Sequence, residues 1–407
     1  MNYGEGGRLS EEMAAMGHEE APSAGSADIV ILNTCTVVDT TEKKMIRRMS
    51  ELRKAGKDVI VTGCMAKVQA NRVSIRLPDS LIIPPDRYSN FSSEVSERYG
   101  TGSCSEKAHS SNILPISQGC LGSCTYCITR FARGRLSSCG PDALLSRFRS
   151  ILDSGAKEIL ITAQDTGCYG KDIGTDLPSL LGRMLEIEGD FRLRIGMMNP
   201  NSLMPIIDSL LDIMEDPRIY RFLHVPVQSG SDDVLRRMNR LYTAEEFFGL
   251  AEKARSRYPE ISISTDLISG FPGETDDDHK KSLDLIRRLG ADTVNITRFS
   301  PRPGTEAASM AAVHGRVSKD RSAELTEMKN AVEYENNAKM VGRVENALIT
   351  EAGKEGTMIA RTRNYRPVAV PSRLPVGTFI ETEITGCEPT YLIGKVMKDA
   401  GSAPRLE

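Results

Sequence analysis

The chain has 407 residues, a formal net charge of −3 and nine cysteines scattered between positions 35 and 387. At about 150 residues per domain this length divides into two or three domains, each able to bury a core. Near-neutral charge confines any nucleic-acid surface to a local patch, and an odd number of cysteines in so long a chain argues for reduced thiols and metal ligation in the cytoplasm rather than disulfide stapling. The opening MNYGEGGRLSEEM has neither a basic n-region nor an apolar h-region, and no apolar run approaches the ~18 residues of a membrane span, so neither export nor membrane insertion is expected.

Residues 1–100 predict a small doubly wound α/β domain. ADIVILNTC and KDVIVTGC read as buried parallel strands, with TTEKKMIRRMSELRKAG as the crossover helix. The chain opens directly into a helical pattern, Gly7 to Gly17, with no strand before it. Residues 101–112, TGSCSEKAHSSN, are polar and Ser-rich and read as a linker. From 113 to 317 a βα unit recurs, with strands ILPIS, KEILITA, FRLRIGM, FLHVPV, ISISTDLI and DTVNITRF. Six units fall short of a complete eight-unit barrel, so a partial (β/α)6 barrel with an open side is expected, its site formed by the loops after the strand ends. Residues 318–340 predict a connecting helix. The short β-like runs and Gly-rich turns of 341–400 predict a small antiparallel β-barrel.

The chemistry concentrates in QGCLGSCTYCITRFARGR, residues 118–135. A structural zinc ion wants four ligands, and Cys139 would have to complete that set outside the usual C-x2-C pairing. Three thiolates with a small molecule completing the fourth position suit an iron–sulfur cluster better. The spacing C-x3-C-x2-C at Cys120, Cys124 and Cys127 resembles that of the radical S-adenosylmethionine (SAM) enzymes, in which the cofactor's amine and carboxylate chelate the open iron. That resemblance implies cofactor contacts at strand ends: Tyr126 near the adenine, Gln164 and Asp165 at the methionyl amine, Gln228 and Ser229 at the ribose. Gly270 and Gly273 would let backbone approach the adenine. Each of these also reads as an ordinary core or turn residue, and His224 reads as packed or hydrogen-bonded.

Cys35 and Cys64 each end a predicted parallel strand and should converge. The series NTCTV, VTGC, GCLGSCTYC, QDTGCYGKDIGTDLP, HVPVQSGSDDVLRRMNR, GFPGET and FSPRPGT is similar to the methylthiotransferases, radical SAM enzymes that replace C–H by C–S–CH3. The wording resembles the archaeal and eukaryotic branch, which modifies N6-threonylcarbamoyladenosine beside the tRNA anticodon. The resemblance implies two 4Fe–4S clusters, SAM, an electron donor, a sulfur source and a monomer acting on the anticodon loop. Of the three cysteines that hold the second cluster in that branch, Cys35 and Cys64 match two. Asn2 matches the Asn of the family's C-x-x-N, so the first ligand would fall two positions before Met1, and the chain as given is expected to be short at its start.

The C-terminal segment from 340 onward carries nine basic and eight acidic residues. Its charge is uneven: RTRNYRPVAVPSR holds Arg361, Arg363, Arg366 and Arg373 with Tyr365 and no acid. Arginine beside an exposed aromatic suits phosphate contact and base stacking, and the family's TRAM domain, an RNA-binding barrel, lies at this place. Arg130, Arg133 and Arg135 would extend that path. The resemblance implies that one SAM methylates a sulfur at the N-terminal cluster and that a second, reduced at the three-cysteine cluster, yields the radical that attacks adenine C2. Two alternatives stay open at this point: an aspartate-modifying ribosomal-protein methylthiotransferase, and a non-catalytic metal-bearing RNA-binding relative.

Overall fold

The computed structural model describes residues 2–102, 111–354 and 356–399. Most of the expected linker, and position 400 at the end of the expected C-terminal barrel, lie outside the described residues. No described helix is long and apolar enough to cross a membrane.

The N-terminal unit begins with α1 (Asn2–Ala15) and continues through β1 (Ile29–Thr34), α2 (Asp39–Lys54), β2 (Asp58–Gly63), α3 (Cys64–Val68), α4 (Ala70–Arg76), β3 (Leu81–Ile82) and α5 (Phe91–Tyr99). The three strands form one parallel sheet in the order β1-β2-β3. Helix α2 forms because its amphipathic repeat buries Met49 and Leu52, with Asp39 and Glu42 in the first turn and Arg53 and Lys54 in the last, which suits the helix dipole.

The central unit contains β4 (Ile113–Pro115), β5 (Ser117–Gln118), α6 (Thr129–Arg133), β6 (Ser137–Ser138), α7 (Pro141–Asp153), β7 (Glu158–Thr162), α8 (Leu177–Leu185) and β8 (Arg192–Ile195). It continues with α9 (Pro200–Leu203), α10 (Ile207–Ile213), β9 (Phe222–His224), α11 (Asp232–Arg237), α12 (Ala244–Arg257), β10 (Ser262–Ser269), α13 (Asp276–Leu289) and β11 (Thr293–Arg298). All six expected strands are present. They make two parallel three-stranded sheets, β4-β7-β8 and β9-β10-β11, joined by a single bridge between Leu193 and Ile219, so the arc is open between β4 and β11. Strand residues such as Ile159, Ile161, Leu193, Ile195, Ile263 and Val294 bury their side chains under the outer helices in one continuous core, as period-2 alternation requires.

Helix α14 (Gly315–Ala338) leads to the C-terminal unit of β12 (Val344–Ala352), β13 (Thr357–Thr362), β14 (Pro367–Pro371), β15 (Phe379–Glu388) and β16 (Tyr391–Asp399). These close into a five-stranded barrel in the order β12-β13-β14-β16-β15.

The two outer units take opposite ends of the arc. The N-terminal unit spans the gap in it: α1 packs against β4, where a Cβ on Gly4 would lie 2.7 Å from Ile113 Cγ2, and Arg302 beyond β11 bonds Glu42 of α2 at 2.8 Å. The C-terminal barrel sits under the strand N-termini. Its residues meet the starts of β7, β8 and β9 through Tyr365, Arg361 and Arg363, and those of β10 and β11 through Asn364 and Arg366.

Candidate active site at the barrel mouth

Residues 119–135 form a loop whose ends touch. Gly119 sits at φ 81°, and a Cβ there would lie 2.0 Å from the Arg135 carbonyl oxygen, so only glycine permits the closure. The short β5–β6 pairing, Ser117 with Ser138 and Gln118 with Ser137, holds the loop at its base. The closed loop points its side chains in different directions, and this sorting defines the site.

The three thiols lie on one arm. The Gly122 amide donates to Cys120 Sγ at 3.2 Å and the Thr129 amide to Cys127 Sγ at 3.4 Å, the kind of backbone bond to sulfur that stabilises bound thiolate. A Cβ on Gly122 would lie 3.3 Å from Cys120 Sγ and 3.8 Å from Cys124 Sγ, so the bare glycine leaves a cradle beside both sulfurs. Burial pushes the free Cys120 thiol up to about 11 and raises Cys124, so loading a metal group here displaces protons. Three soft donors with backbone N–H support fit a cluster that is coordinated by three thiolates and keeps one iron open. The described residues offer no group of three His, Cys, Asp or Glu fit for a single metal ion. Cys139, needed for a four-cysteine zinc set, is exposed, and the nearby charges on its thiol are Arg8, Arg147 and Asp172, not the other cysteines.

A second arm carries Tyr126 into the barrel. Its hydroxyl accepts from Arg240 at 2.6 Å, and its ring meets Phe271 edge-on at 6.2 Å. Arg240 also donates to Asn199 Oδ1 at 2.5 Å, and Asn199 Nδ2 donates to Asp165 Oδ2 at 2.7 Å. This chain of bonds ties the cysteine loop to the ends of β7 and β8. Asp165 also accepts from the Gly167 and Asn199 amides, Ser202 Oγ and Cys168 Sγ. Five donors saturate one carboxylate, so Asp165 organises the strand ends and has no lone pair left for the methionyl amine expected there. Half-buried Gln164 lies beside it.

The remaining expected contacts divide. Gln228 is buried with φ 77°, a conformation costly for a non-glycine residue, held by bonds from its amide to the Asp266 carbonyl and from the Ile268 amide to its own carbonyl. Ser229 is buried, and its hydroxyl accepts from the Ser231 amide at 3.2 Å. Gly270, at φ 72°, has no room for a side chain: a Cβ would meet Ser318 Oγ of α14 at 2.3 Å. Gly273, at φ 75°, faces Arg237 at ordinary contact distance. His224 hydrogen-bonds Asp266 at 3.1 Å, as a packed histidine should, and Asn295 donates to the same carboxylate.

The third arm reaches the second pair of cysteines. Thr34 pairs with Gly63 in register, and a Cβ on Gly63 would lie 2.3 Å from the Thr34 carbonyl, so Cys35 and Cys64 leave adjacent strand ends together. Arg133 Nε donates to Cys64 Sγ at 3.3 Å, and the same buried guanidinium pairs with Glu5 of α1. Burial raises the Cys64 thiol, Arg133 opposes the rise and nearby Cys35 adds to it. Arg133 was expected on an RNA path; it is 5% exposed and joins the two thiol sites instead. A parallel contact lies one residue past Cys35: Arg302 bonds Glu42, which accepts from Thr36 Oγ1 at 2.6 Å and from Gln69 at 3.1 Å. Neither Arg133–Cys64 nor Arg302–Glu42 has a local sequence signal, because each partner lies in a different domain.

The C-terminal set corrects the expected RNA face. Tyr365 is not exposed for stacking; at φ 65° it inserts between Tyr220 and Phe222 at centroid distances of 4.8 and 5.0 Å, plugging the base of the arc. Arg366 pairs with half-buried Asp292 and donates to Asn337 at 2.6 Å. Arg361 lies over the Tyr365 ring at 4.7 Å and bonds Glu351 at 3.3 Å. Arg363 is half-buried, its carbonyl accepting from the Arg221 amide; burial, Arg221 and Arg192 all lower its affinity for a proton. Only Arg373 is exposed.

Family models match in the same three parts: the uncharacterized protein family UPF0004 over residues 1–83, the radical SAM superfamily over 114–286 and the TRAM domain over 338–397. In structure the chain resembles the radical S-adenosylmethionine methyltransferase TsrM from Kitasatospora setae, with a TM-score of 0.54 at 14% identity, over 70% of this chain and 66% of that one. In sequence it is 41% identical to a protein of Pyrococcus abyssi named probable threonylcarbamoyladenosine tRNA methylthiotransferase, over 95% of this chain and 96% of the relative. It is 31% identical to the Homo sapiens threonylcarbamoyladenosine tRNA methylthiotransferase, over 98% of this chain and 72% of that one. With its three-thiol loop at the mouth of a partial barrel and relatives aligned along nearly its whole length, the chain belongs to the radical SAM threonylcarbamoyladenosine tRNA methylthiotransferase family.

Proposed function

We propose that this protein adds a methylthio group to C2 of N6-threonylcarbamoyladenosine in the tRNA anticodon loop, giving the 2-methylthio nucleoside. The observation that carries the reading is the closed loop 119–135, which presents Cys120, Cys124 and Cys127 at the barrel mouth, in a chain matched over 95% of its length by a relative of that name. Cys120, Cys124 and Cys127 would hold a 4Fe–4S cluster, and Cys35 and Cys64 would supply thiolates to a second. Bound there, the cluster and SAM supply the one-electron chemistry needed to break a C–H bond that has no acidic proton.

The chain's own residues do the rest. The network from Asp165 through Asn199 and Arg240 to Tyr126 fixes the cysteine loop against the strand ends, so the reacting groups meet in a preset geometry. Gln228 and half-buried Gln164 would contact the cofactor at the mouth, and exposed Gly273, at φ 75°, carries no side chain to bar its approach. Tyr365, wedged among Tyr220, Phe222 and Arg194, closes the base of the arc and keeps water out of the reaction chamber from below. The nucleotide enters at the mouth after unstacking, which costs a few kcal/mol and less in a loop than in a duplex. Exposed Arg373 is free to meet RNA phosphate. The protein would act as a cytoplasmic monomer, drawing electrons from a separate donor and sulfur from a separate source.

Mass spectrometry of tRNA nucleosides from cells with and without the gene tests the reading. The 2-methylthio derivative of N6-threonylcarbamoyladenosine disappears without the gene while its precursor accumulates. An unchanged nucleoside profile sinks the proposal.

A further inference from the structure

On the outward arm of loop 119–135, the side chains of Leu121, Arg130, Phe131 and Arg135 make no hydrogen bond or ion pair among the described residues. Leu121 and Phe131 are 52% and 53% exposed, and Arg130 and Arg135 are exposed as well. Neither arginine has a carboxylate partner among the described residues, and residues 118–140 contain no Asp or Glu. Most other exposed arginines in the outer helices carry an acid, as Arg236 does with Asp233 and Arg288 with Glu245. The patch is also rigidly placed. Arg135 is pinned by its carbonyl against Gly119, one residue from Cys120. Helix α6 turns Ala132 and Arg133 inward, with Arg133 on Cys64. The same short helix therefore carries an inward contact to the N-terminal thiols and an outward Arg130–Phe131 pair, and it begins two residues after Cys127.

We propose that this face of the cysteine loop, Phe131 flanked by Arg130 and Arg135, is the surface that receives single-stranded RNA next to the target nucleotide. Phe131 stacks one base and the two arginines take the adjoining phosphates. Positive charge without acid favours an anionic partner. A small acidic electron-carrier protein shares that charge and docks through small, transient contacts, but it offers no base for an exposed ring to stack on. A donor also needs access to one cluster only, whereas the substrate must reach the seam between both thiol sites, which is where α6 lies. The inference rests on the tRNA reading above and adds its contact surface.

The test is binding of a synthetic anticodon stem-loop carrying N6-threonylcarbamoyladenosine, followed by fluorescence anisotropy across a KCl series, with iron content per chain measured for every variant. Arg130→Gln and Arg135→Gln each reduce the slope of log affinity against log salt by about 0.7. Phe131→Ala weakens binding about 5- to 150-fold with little change in slope, and Phe131→Trp restores it. Iron content stays at the unsubstituted level, which separates lost RNA contact from a collapsed loop. Unaltered affinity and slope in all three variants overturn the proposal. So does unaltered RNA binding combined with slowed reduction by flavodoxin, which assigns the patch to the electron carrier. If the unsubstituted protein binds neither the modified nor the unmodified stem-loop, the tRNA reading itself fails and takes this surface with it.

Discussion

The two ends of the barrel arc are built from similar residues and put to opposite uses. At the mouth, arginines meet sulfur, amide and phenol besides carboxylate: Arg133 reaches Cys64 as well as Glu5, and Arg240 joins Asn199 to Tyr126. At the base, arginines meet aromatic rings and carboxylates. Arg192 lies over Phe379 at 4.7 Å, Arg194 over Phe222 at 5.3 Å, and Arg366 against Asp292. The difference lies in which chain segment packs there. The base is sealed by a barrel that inserts Tyr365, whereas the mouth is bordered by loops whose polar groups are aimed at one another across domain boundaries. An arginine-rich stretch is therefore glue at one end and site architecture at the other.

The largest effect expected at the mouth comes from Cys120→Ala. Without that thiolate the loop loses its cluster, and methionine release from SAM under reductant falls to background; retained SAM cleavage would show that the loop holds no such group. Tyr365→Ala at the base should leave that iron in place.

Arg133→Met comes next. It strands Glu5 as a buried unpaired charge and should cost about 3–5 kcal/mol in denaturant unfolding. Arg302→Met should cost less, because Glu42 keeps Arg72, Thr36 and Gln69 as partners. Equal losses for the two would break the distinction between a sole and a shared partner.

Tyr365→Ala removes an aromatic from between Tyr220 and Phe222 and should cost about 3 kcal/mol. Tyr365→Gly should cost no more despite deleting one further carbon, because φ 65° strains any residue with a Cβ by roughly 1 kcal/mol. A drop in RNA affinity with no change in stability would return Tyr365 to the stacking role its neighbours deny it.

The smallest effect concerns Glu158, which accepts from Tyr220 at 2.9 Å and whose carboxyl is raised by burial above the usual value. The folded state thus holds its proton more tightly than the unfolded chain does. Its contribution is complete below the unfolded value of 4.5 and is lost as pH rises through the folded one. Glu158→Gln should flatten that part of the stability-against-pH curve, and thermal melts across the acidic range will show whether it does.

Much of this protein is legible in local pattern. Apolar runs ending in Cys35 and Cys64, six strands alternating with amphipathic helices, and three cysteines within eight residues all follow from spacing along one chain. Periodicity and ligand spacing are properties of neighbours in sequence. The RTRNYRPVAVPSR stretch resembles an open RNA face in sequence because exposure is not such a property: Tyr365 and Arg366 are half-buried only because Tyr220, Phe222 and Asp292 from another domain meet them. The same holds for Asp165, whose five donors come from the turn after β7 and from the start of α9, and for Arg133, which looks like its exposed neighbours Arg130 and Arg135 until Cys64 and Glu5 are brought to it. The sequence by itself determined the fold class and the thiol loop, since each is signalled by spacing among residues close together in the chain. Tertiary structure alone decided which charged and aromatic side chains face water, because burial depends on what the rest of the chain packs against them.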